Sequence, residues 1–342
     1  MEKFEEQMMR RCIQLAQLGL GTTYPNPLVG CVIVHENKIV AEGWHQKYGS
    51  AHAEVNAIQQ ISDKEILRNS TLYVSLEPCA HHGKTPPCAD LIIQCQIPRV
   101  VVGTSDPFAK VNGLGIQKMK EAGIDVKLGL LEHECRELNK RFFTFHEKKR
   151  PYIILKWAQT ADGFMAPTTG KQKWITNKFS KQLVHKWRTE EQGILVGTNT
   201  AQVDNPELNA RLWEGNNPVR MVLDRDLKLN LNLNLFNRNQ KTLVFTEEPN
   251  TNSENLEFIP IRFDENLAEQ ILEELYEREI QSVIIEGGKQ TLETFIRKGL
   301  WDEARIFTSL DNWSEGIHSP EISGQIIETH NIAGNKLEIF RK

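Results

Sequence analysis

His52-Ala53-Glu54 and then Pro78-Cys79, with Cys88 after eight intervening residues, supply one imidazole, one carboxylate and two thiols. A neutral imidazole with two thiolates suits Zn²⁺, which takes nitrogen and sulfur ligands in a tetrahedron. Three protein ligands leave the fourth position to water, as a catalytic zinc requires. Glu54 stands two residues past the histidine, where a carboxylate can carry protons between activated water, a ring nitrogen and a leaving amine. The pattern reads as hydrolytic deamination of a base. A structural zinc would ask for a fourth protein ligand, which His81 or His82 could offer, but Glu54 would then have no role. Otherwise those two histidines line the pocket or face solvent.

The elements that must hold these residues follow from patterning. Phe4, Met8, Cys12, Leu15 and Ala16 recur at helical spacing, and Thr23-Tyr24-Pro25-Asn26-Pro27 ends that helix. A buried strand is expected over 28–34, with a hairpin partner over 38–43. A helix over about 51–61 carries His52 and Glu54 in its first turn. A strand over 71–76 leads into the second metal-bearing segment, from Pro78. Another strand (99–104) and helix (113–122) follow. Ligands at two helix starts would direct N–H dipoles at thiolate and hydroxide, favouring the anions.

The charged stretch His146-Glu147-Lys148-Lys149-Arg150-Pro151 marks a boundary, giving domains over 1–147 and 150–342. Beyond it, strands are expected over 152–157, 193–197, 220–224, 242–246 and 282–286. Helices over 177–188, 265–277 and 290–298 alternate with them and complete an α/β series. The asparagine- and leucine-rich run 229–240 reads as a loop or edge without chemistry, and 247–254 as polar loop. Gly197-Thr198-Asn199-Thr200 and Glu286-Gly287-Gly288-Lys289 both follow strands. Such turns suit an anion at a helix N-terminus, or serve tight geometry alone. No Gly-x-Gly-x-x-Gly fingerprint is present.

A length of 342 residues suits two domains, and the net charge of −4 argues against a nucleic-acid platform. No apolar run approaches the roughly 20 residues of a membrane helix. Six cysteines make no disulfide scaffold: two belong to the metal pattern, and Cys12, Cys31, Cys95 and Cys135 read as buried free thiols. The acidic, amphipathic opening Met1-Glu2-Lys3-Phe4-Glu5-Glu6 is unlike a secretory signal, so a cytoplasmic location is expected.

The order of these blocks resembles the bifunctional riboflavin-biosynthesis deaminase–reductase family over nearly the whole chain. The matching pieces are Pro25-Asn26-Pro27-Leu28-Val29-Gly30, Gly43-Trp44-His45, His52-Ala53-Glu54 and Glu77-Pro78-Cys79-Ala80-His81-His82-Gly83-Lys84-Thr85-Pro86-Pro87-Cys88. Val196-Gly197, Thr200, Asp204-Asn205-Pro206 with Leu208 and Arg211, and Ile285-Glu286-Gly287-Gly288 continue the match. The resemblance implies an N-terminal cytidine-deaminase-like three-layer domain and a C-terminal dihydrofolate-reductase-like α/β domain. It implies two steps on one phosphorylated pyrimidine. Zinc held by His52, Cys79 and Cys88, with Glu54 as proton carrier, would deaminate a 2,5-diamino-6-(5-phosphoribosylamino)pyrimidinone. NADPH would then reduce its ribosyl group to ribityl. Asn26, His45, Lys84 and Thr85 match positions holding substrate in the first step. Lys156, Gln172, Arg188, Leu208, Arg211 and Glu286 match those of the second. Ala158, Trp174, Thr200, Asp204 and the turn Gly288, Lys289, Gln290, Thr291, Leu292, Glu293 and Thr294 match cofactor contacts. The resemblance is compatible with a homodimer through the C-terminal domain.

Read from the residues alone, Arg188 on its helix also fits a surface ion pair, Trp174 a packing aromatic, and Asp204-Asn205-Pro206 a plain turn. The chain departs from the family's usual wording at Phe108, Thr160-Ala161, Gln172, Gln192-Gly193 and Arg225. The competing reading is a zinc deaminase for another nucleotide or for RNA, with a degenerate second half; RNA binding would ask for a basic, aromatic-lined groove.

Overall fold

The computed structural model describes residues 2–80, 86–108, 111–169 and 173–342, and the chain divides into two units, Met1–Lys148 and Lys149–Lys342. In the first, the elements run α1 (Glu2–Gln17), β1 (Gly30–His35), β2 (Lys38–Trp44), α2 (Ala53–Gln59), β3 (Ser70–Leu76), α3 (Cys88–Gln94), β4 (Arg99–Thr104), α4 (Leu114–Glu121), β5 (Asp125–Leu128), α5 (Glu132–Leu138) and α6 (Lys140–Lys148). The sheet order is β2-β1-β3-β4-β5. β1 pairs antiparallel with β2 and β3, while β3, β4 and β5 are parallel.

Strand alternation sorts the side chains into two cores. Cys31, Ile33, Leu72, Val74, Val100 and Val102 meet Ala53, Ala57 and Ile58 of α2, Ala89 and Ile92 of α3 and Met119 of α4. Val32, Val34, Tyr73 and Val101 face the other way, against Met8, Met9, Cys12 and Leu15 of α1 and Cys135 of α5. The result is a three-layer sandwich.

The second unit runs β6 (Tyr152–Gln159), β7 (Phe164–Ala166), α7 (Lys178–Glu190), β8 (Gly193–Val196), α8 (Thr198–Asp204), β9 (Val219–Leu223), β10 (Thr242–Thr246), β11 (Leu256–Pro260), α9 (Leu267–Glu277), β12 (Ser282–Glu286), α10 (Lys289–Lys298), β13 (Glu303–Thr308), β14 (Ile317–His318), β15 (Gln325–Ile332) and β16 (Asn335–Arg341). Its nine-stranded sheet is ordered β11-β10-β9-β8-β12-β6-β13-β16-β15. The seven strands from β11 to β13 are parallel, and β16 and β15 form an antiparallel flank. One face packs on α9 and α10 through Ile271, Leu275, Leu292 and Phe295. The other packs on α7 and α8 through Val184, Trp187 and Ala201.

Several expectations need correction. The α/β series does not end at α10, because β13, β16 and β15 extend the sheet. β5, α5, β7, β11 and β14 also had no counterpart in the sequence reading. His52 precedes α2 as its N-cap rather than lying in its first turn. Cys95 is half-buried, unlike the other three non-ligand thiols.

The run 229–240 is neither edge nor loose loop. Leu229, Leu235 and Phe236 are buried in the core, and the segment encloses Arg220, which is 1% exposed. That guanidinium donates to Thr242 Oγ1 (2.9 Å), Asn234 O (2.9 Å), Asn237 Oδ1 (3.0 Å) and Gln240 O (2.9 Å). Burial pushes its pKa down to about 10, against the opposing pull of the Glu207 charge.

Candidate metal centre and reductase site

His52 caps α2, Cys88 opens α3, and Cys79 lies in the segment leaving β3. Three elements therefore converge on one point. Cys79 Sγ is 3.6 Å and Cys88 Sγ 3.3 Å from His52 Nδ1, and the three ligand atoms all lie within 4.8 Å of one another. Zinc–ligand bonds of ordinary length set nitrogen and sulfur about 3.6 Å apart along a tetrahedral edge, so the donor set and its spacing fit Zn²⁺. Cys88 N donates to Cys79 Sγ at 3.3 Å, and that dipole favours thiolate. A hydrogen bond from the Cys88 thiol, helped by His52, holds Cys79 well below the usual thiol range.

Glu54, in the first turn of α2, is buried. Its Oε2 has no hydrogen-bond partner among the described residues. A buried carboxylate oxygen left unpaired is costly unless a ligand or water meets it. His45 stands beside the centre, its ring edge-on to His52 with centroids 5.3 Å apart. The Ala51 carbonyl lies 3.1 Å from His45 Nδ1, which must therefore donate; Nε2 then accepts from the Asn26 amide at 3.1 Å. Burial lowers the His45 pKa and keeps the ring neutral. Lys84, Thr85, His81 and His82 lie outside the described residues, as does Gln172 in the second unit.

In the second unit several of the expected site residues lie on or just after β6, β8 and β12. Lys156 and Glu286 are register partners on β6 and β12. Their side chains meet at 2.6 Å (Nζ to Oε1), and Arg188 Nη2 of α7 reaches Glu286 Oε2 at 2.9 Å. The two cations hold the Glu286 carboxyl far below the usual carboxylate range despite its burial. Arg188 is thus no surface ion pair: it is buried and also donates to Asn209 O at 3.0 Å. His185, one helical turn earlier and buried, has its pKa pushed down to about 4 by burial and by Arg188 and Arg211. Sequence reasoning missed His185; its i, i+3 spacing to Arg188 was the available signal.

The two glycine turns meet. Gly288 N donates to Thr200 Oγ1 at 2.8 Å, and a Cβ on Gly197 would lie 2.3 Å from Thr291 Oγ1. The close approach sets the starts of α8 and α10 side by side, with Asp204 closing α8 and half-buried. Other expected contacts stand differently. The Leu208 and Leu292 side chains are in the core, so only their backbones are available to a ligand. Trp174 is 61% exposed, its ring under Lys181 Nζ at 3.2 Å, and does not pack in the interior. Arg211 is exposed and bonded to Asn209 Oδ1 at 2.8 Å. Lys289 pairs with Glu293 at 3.7 Å, and Thr294 Oγ1 donates to Gln290 O. Ala158 is half-buried beside Phe307.

The departures in wording that fall on described residues are accommodated. Thr160 Oγ1 bonds Asp162 (2.5 Å) and accepts from Phe164 N (3.0 Å), closing the turn after β6. Gln192 Oε1 accepts from Gln281 N at 2.6 Å, Phe108 lies against the His146 ring at 5.1 Å, and Arg225 pairs with Glu247 at 2.8 Å.

A zinc-type base deaminase followed by an α/β reductase is the class that these folds and sites define. Residues 2–104 match the cytidine and deoxycytidylate deaminase zinc-binding region, and residues 151–309 the RibD C-terminal domain. The riboflavin biosynthesis protein RibD of Aquifex aeolicus is 42% identical over 332 residues, covering 95% of this chain and 92% of that protein. RibD of Actinobacillus pleuropneumoniae is 41% identical over 310 residues, 87% of this chain and 82% of its own. A crystal structure from Thermotoga maritima, a diaminohydroxyphosphoribosylaminopyrimidine deaminase/5-amino-6-(5-phosphoribosylamino)uracil reductase, superposes with TM-score 0.92 at 38% identity over 99% of each chain. Acinetobacter baumannii RibD superposes with TM-score 0.91 at 31% identity, over 100% of this chain and 99% of that one. The chain belongs to the RibD family of bifunctional riboflavin-biosynthesis enzymes. Its two domains imply Zn²⁺ for the first unit and NADPH for the second. The match spans both units, which favours this reading over a deaminase for RNA with a degenerate partner. No helix among the described residues is long and apolar enough to cross a membrane.

Proposed function

We propose that the first unit (1–147) deaminates a diaminohydroxyphosphoribosylaminopyrimidine and the second (150–342) reduces the resulting 5-amino-6-(5-phosphoribosylamino)uracil. The observation that carries this is the convergence of His52, Cys79 and Cys88 beside the buried Oε2 of Glu54, which has no partner among the described residues. Zn²⁺, when bound by those three residues, supplies a Lewis acid that makes water a nucleophile at neutral pH. Glu54 would carry a first proton from the attacking water to the ring nitrogen and a second, from the added hydroxyl, to the departing amine, which leaves as ammonia. His45 and Asn26, locked to each other, present fixed polar atoms to base and ribose. Lys84 and Thr85 would take the phosphate end, by the family match.

In the second unit NADPH, when bound, supplies the hydride that opens the ribosyl group to ribityl. Thr200, Asp204, Ala158, Trp174 and the backbone of the turn from Gly288 to Thr294 would hold it. Lys156, Arg188 and Glu286 form a rigid polar wall for the sugar. Arg211, exposed and next to that wall, suits the substrate phosphate, with Gln172 and the Leu208 backbone completing the lining.

The expected location is cytoplasmic. A homodimer through the second unit is supported by β15, an exposed outer strand carrying Ile326 and Ile327 at the surface.

The test is a coupled assay on the purified, zinc-loaded chain: ammonia release from the diamino nucleotide, then NADPH oxidation followed by absorbance. Glu54→Gln should abolish ammonia release with zinc retained. Undiminished ammonia release in that variant would remove Glu54 from the mechanism, and a flat NADPH trace beside active deamination would refute the second step.

A further inference from the structure

Glu77 directly follows β3, two residues before Cys79, and is 4% exposed. No cation pairs with it among the described residues. Its carboxylate instead accepts four backbone N–H groups: Asp106 (3.2 Å) and Gly113 (2.9 Å) on Oε2, Gly115 (3.0 Å) and Ile116 (3.3 Å) on Oε1. The last three donors belong to the start of α4. That helix has Gly113 as its N-cap, and a glycine has no side chain to cap with. An N-cap side chain ordinarily satisfies the N–H groups of the second and third helical residues. Here those are Gly115 and Ile116, and a carboxylate 38 positions away by sequence does the work. Its charge also complements the positive end of the helix.

The same contact reaches the metal centre. A Cβ on Gly115 would lie 2.0 Å from the carbonyl oxygen of Pro78, so the first turn of α4 presses on the peptide that leads into Cys79. On its other side Cys79 is held by α3: Cys88 N donates to its Sγ, and Ala89 N to its carbonyl. The ligand is therefore gripped between two helix starts, and Glu77 fixes one of them.

We infer that Glu77 is a positioning residue for the deaminase reaction: as a remote cap on α4, it sets the Pro78-Cys79 peptide and thereby the geometry of the Cys79 thiolate toward zinc. It touches neither substrate nor metal. The inference rests on the zinc reading of His52, Cys79 and Cys88. Partners that orient a ligand from behind typically contribute about 10–100-fold to metal affinity or activity.

Two variants of the full-length, zinc-loaded chain test this. In Glu77→Gln the amide nitrogen cannot accept, so two of the four bonds are lost and N–H groups oppose an NH₂. Gly115→Ala leaves Glu77 intact and pushes on the Pro78 carbonyl instead. The readouts are the rate of zinc loss to excess chelator, kcat and KM for ammonia release, and NADPH oxidation by the second unit as an internal control. Both variants should lose zinc about tenfold faster or more. Their kcat for ammonia release should fall by a similar factor, with KM within about threefold and NADPH oxidation unchanged.

Should Glu77→Gln fail to fold, shown by loss of its circular dichroism, Glu77→Asp, which keeps the charge but shortens its reach to the α4 N–H groups, decides in its place. A folded variant with the parent's zinc-loss rate and kcat overturns the inference. So does an effect confined to KM, which would place Glu77 on substrate. A parent chain that takes up no zinc would instead refute the zinc reading beneath it.

Discussion

Replacing Glu286 by Gln tests the electrostatic design of the second site, because one carboxylate neutralises two cations there. Glu286, Lys156 and Arg188 keep only 18%, 12% and 10% of their side-chain surface, and the contacts are 2.6 and 2.9 Å. Breaking a buried ion pair by removing one partner costs about 3–5 kcal/mol. The residual exposure places this site at the low end, about 3 kcal/mol at pH 7. For a unit of this size, each kcal/mol moves the melting temperature by about 2–4 °C, so a drop of about 6–12 °C is expected.

The sign of the pH dependence is fixed. The folded pKa of Glu286 is depressed, so its contribution is complete above the unfolded value near 4.3 and is lost as pH falls toward the folded one. At pH 3 roughly 2 kcal/mol of it should be gone, at 1.36 kcal/mol per pH unit. Urea unfolding of parent and variant at pH 7 and pH 3 measures this. The gap between them should be wide at neutrality and should narrow in acid. His185, held down at about 4 chiefly by burial, loses stability in both proteins as pH falls from about 6.5 to 4; Glu286 raises its pKa, so the variant loses somewhat more over that range. A gap below about 1 kcal/mol at pH 7, or one that is equal at both pH values, would refute the reasoning.

Two further outcomes follow from the same structure. Stripping zinc with a chelator should stop ammonia release while leaving NADPH oxidation on the already deaminated nucleotide within twofold; parallel loss of both would contradict separate sites. Arg220→Met should destabilise the second unit by about 3 kcal/mol, because four acceptors lose their donor at once; a urea midpoint equal to the parent's would contradict that.

The candidate metal centre was legible because its residues announce themselves by type and local spacing. Cys79 and Cys88 lie nine positions apart, and Glu54 follows His52 on one helix start. The second site is built differently. Glu286 meets partners 130 and 98 positions away, and only the parallel pairing of β6 with β12 brings them together; spacing carries no trace of that. Glu77 also escaped notice, although a charged residue directly after the buried strand β3 needs a partner from somewhere. The central strands were readable from their apolar runs, since β6, β8 and β12 are covered on both faces. β15 was not, because it is exposed along nearly its whole length and has no apolar alternation to read. β5 is short and half-covered. Leu229, Leu235 and Phe236 read as part of a loop or edge because the segment closes over an arginine inside a strand, a position where patterning anticipates valine or isoleucine.

That enclosed arginine bears on how this protein can be re-engineered. Residues 229–240 would attract anyone wishing to shorten the molecule or splice in a tag, since their composition suggests dispensable surface. Excision would instead remove three of the four acceptors of a buried guanidinium, leaving it Thr242 alone, and would open the core around it. The safer place for an insertion is the polar run 247–254, whose backbone leaves no interior cation exposed when it is lengthened.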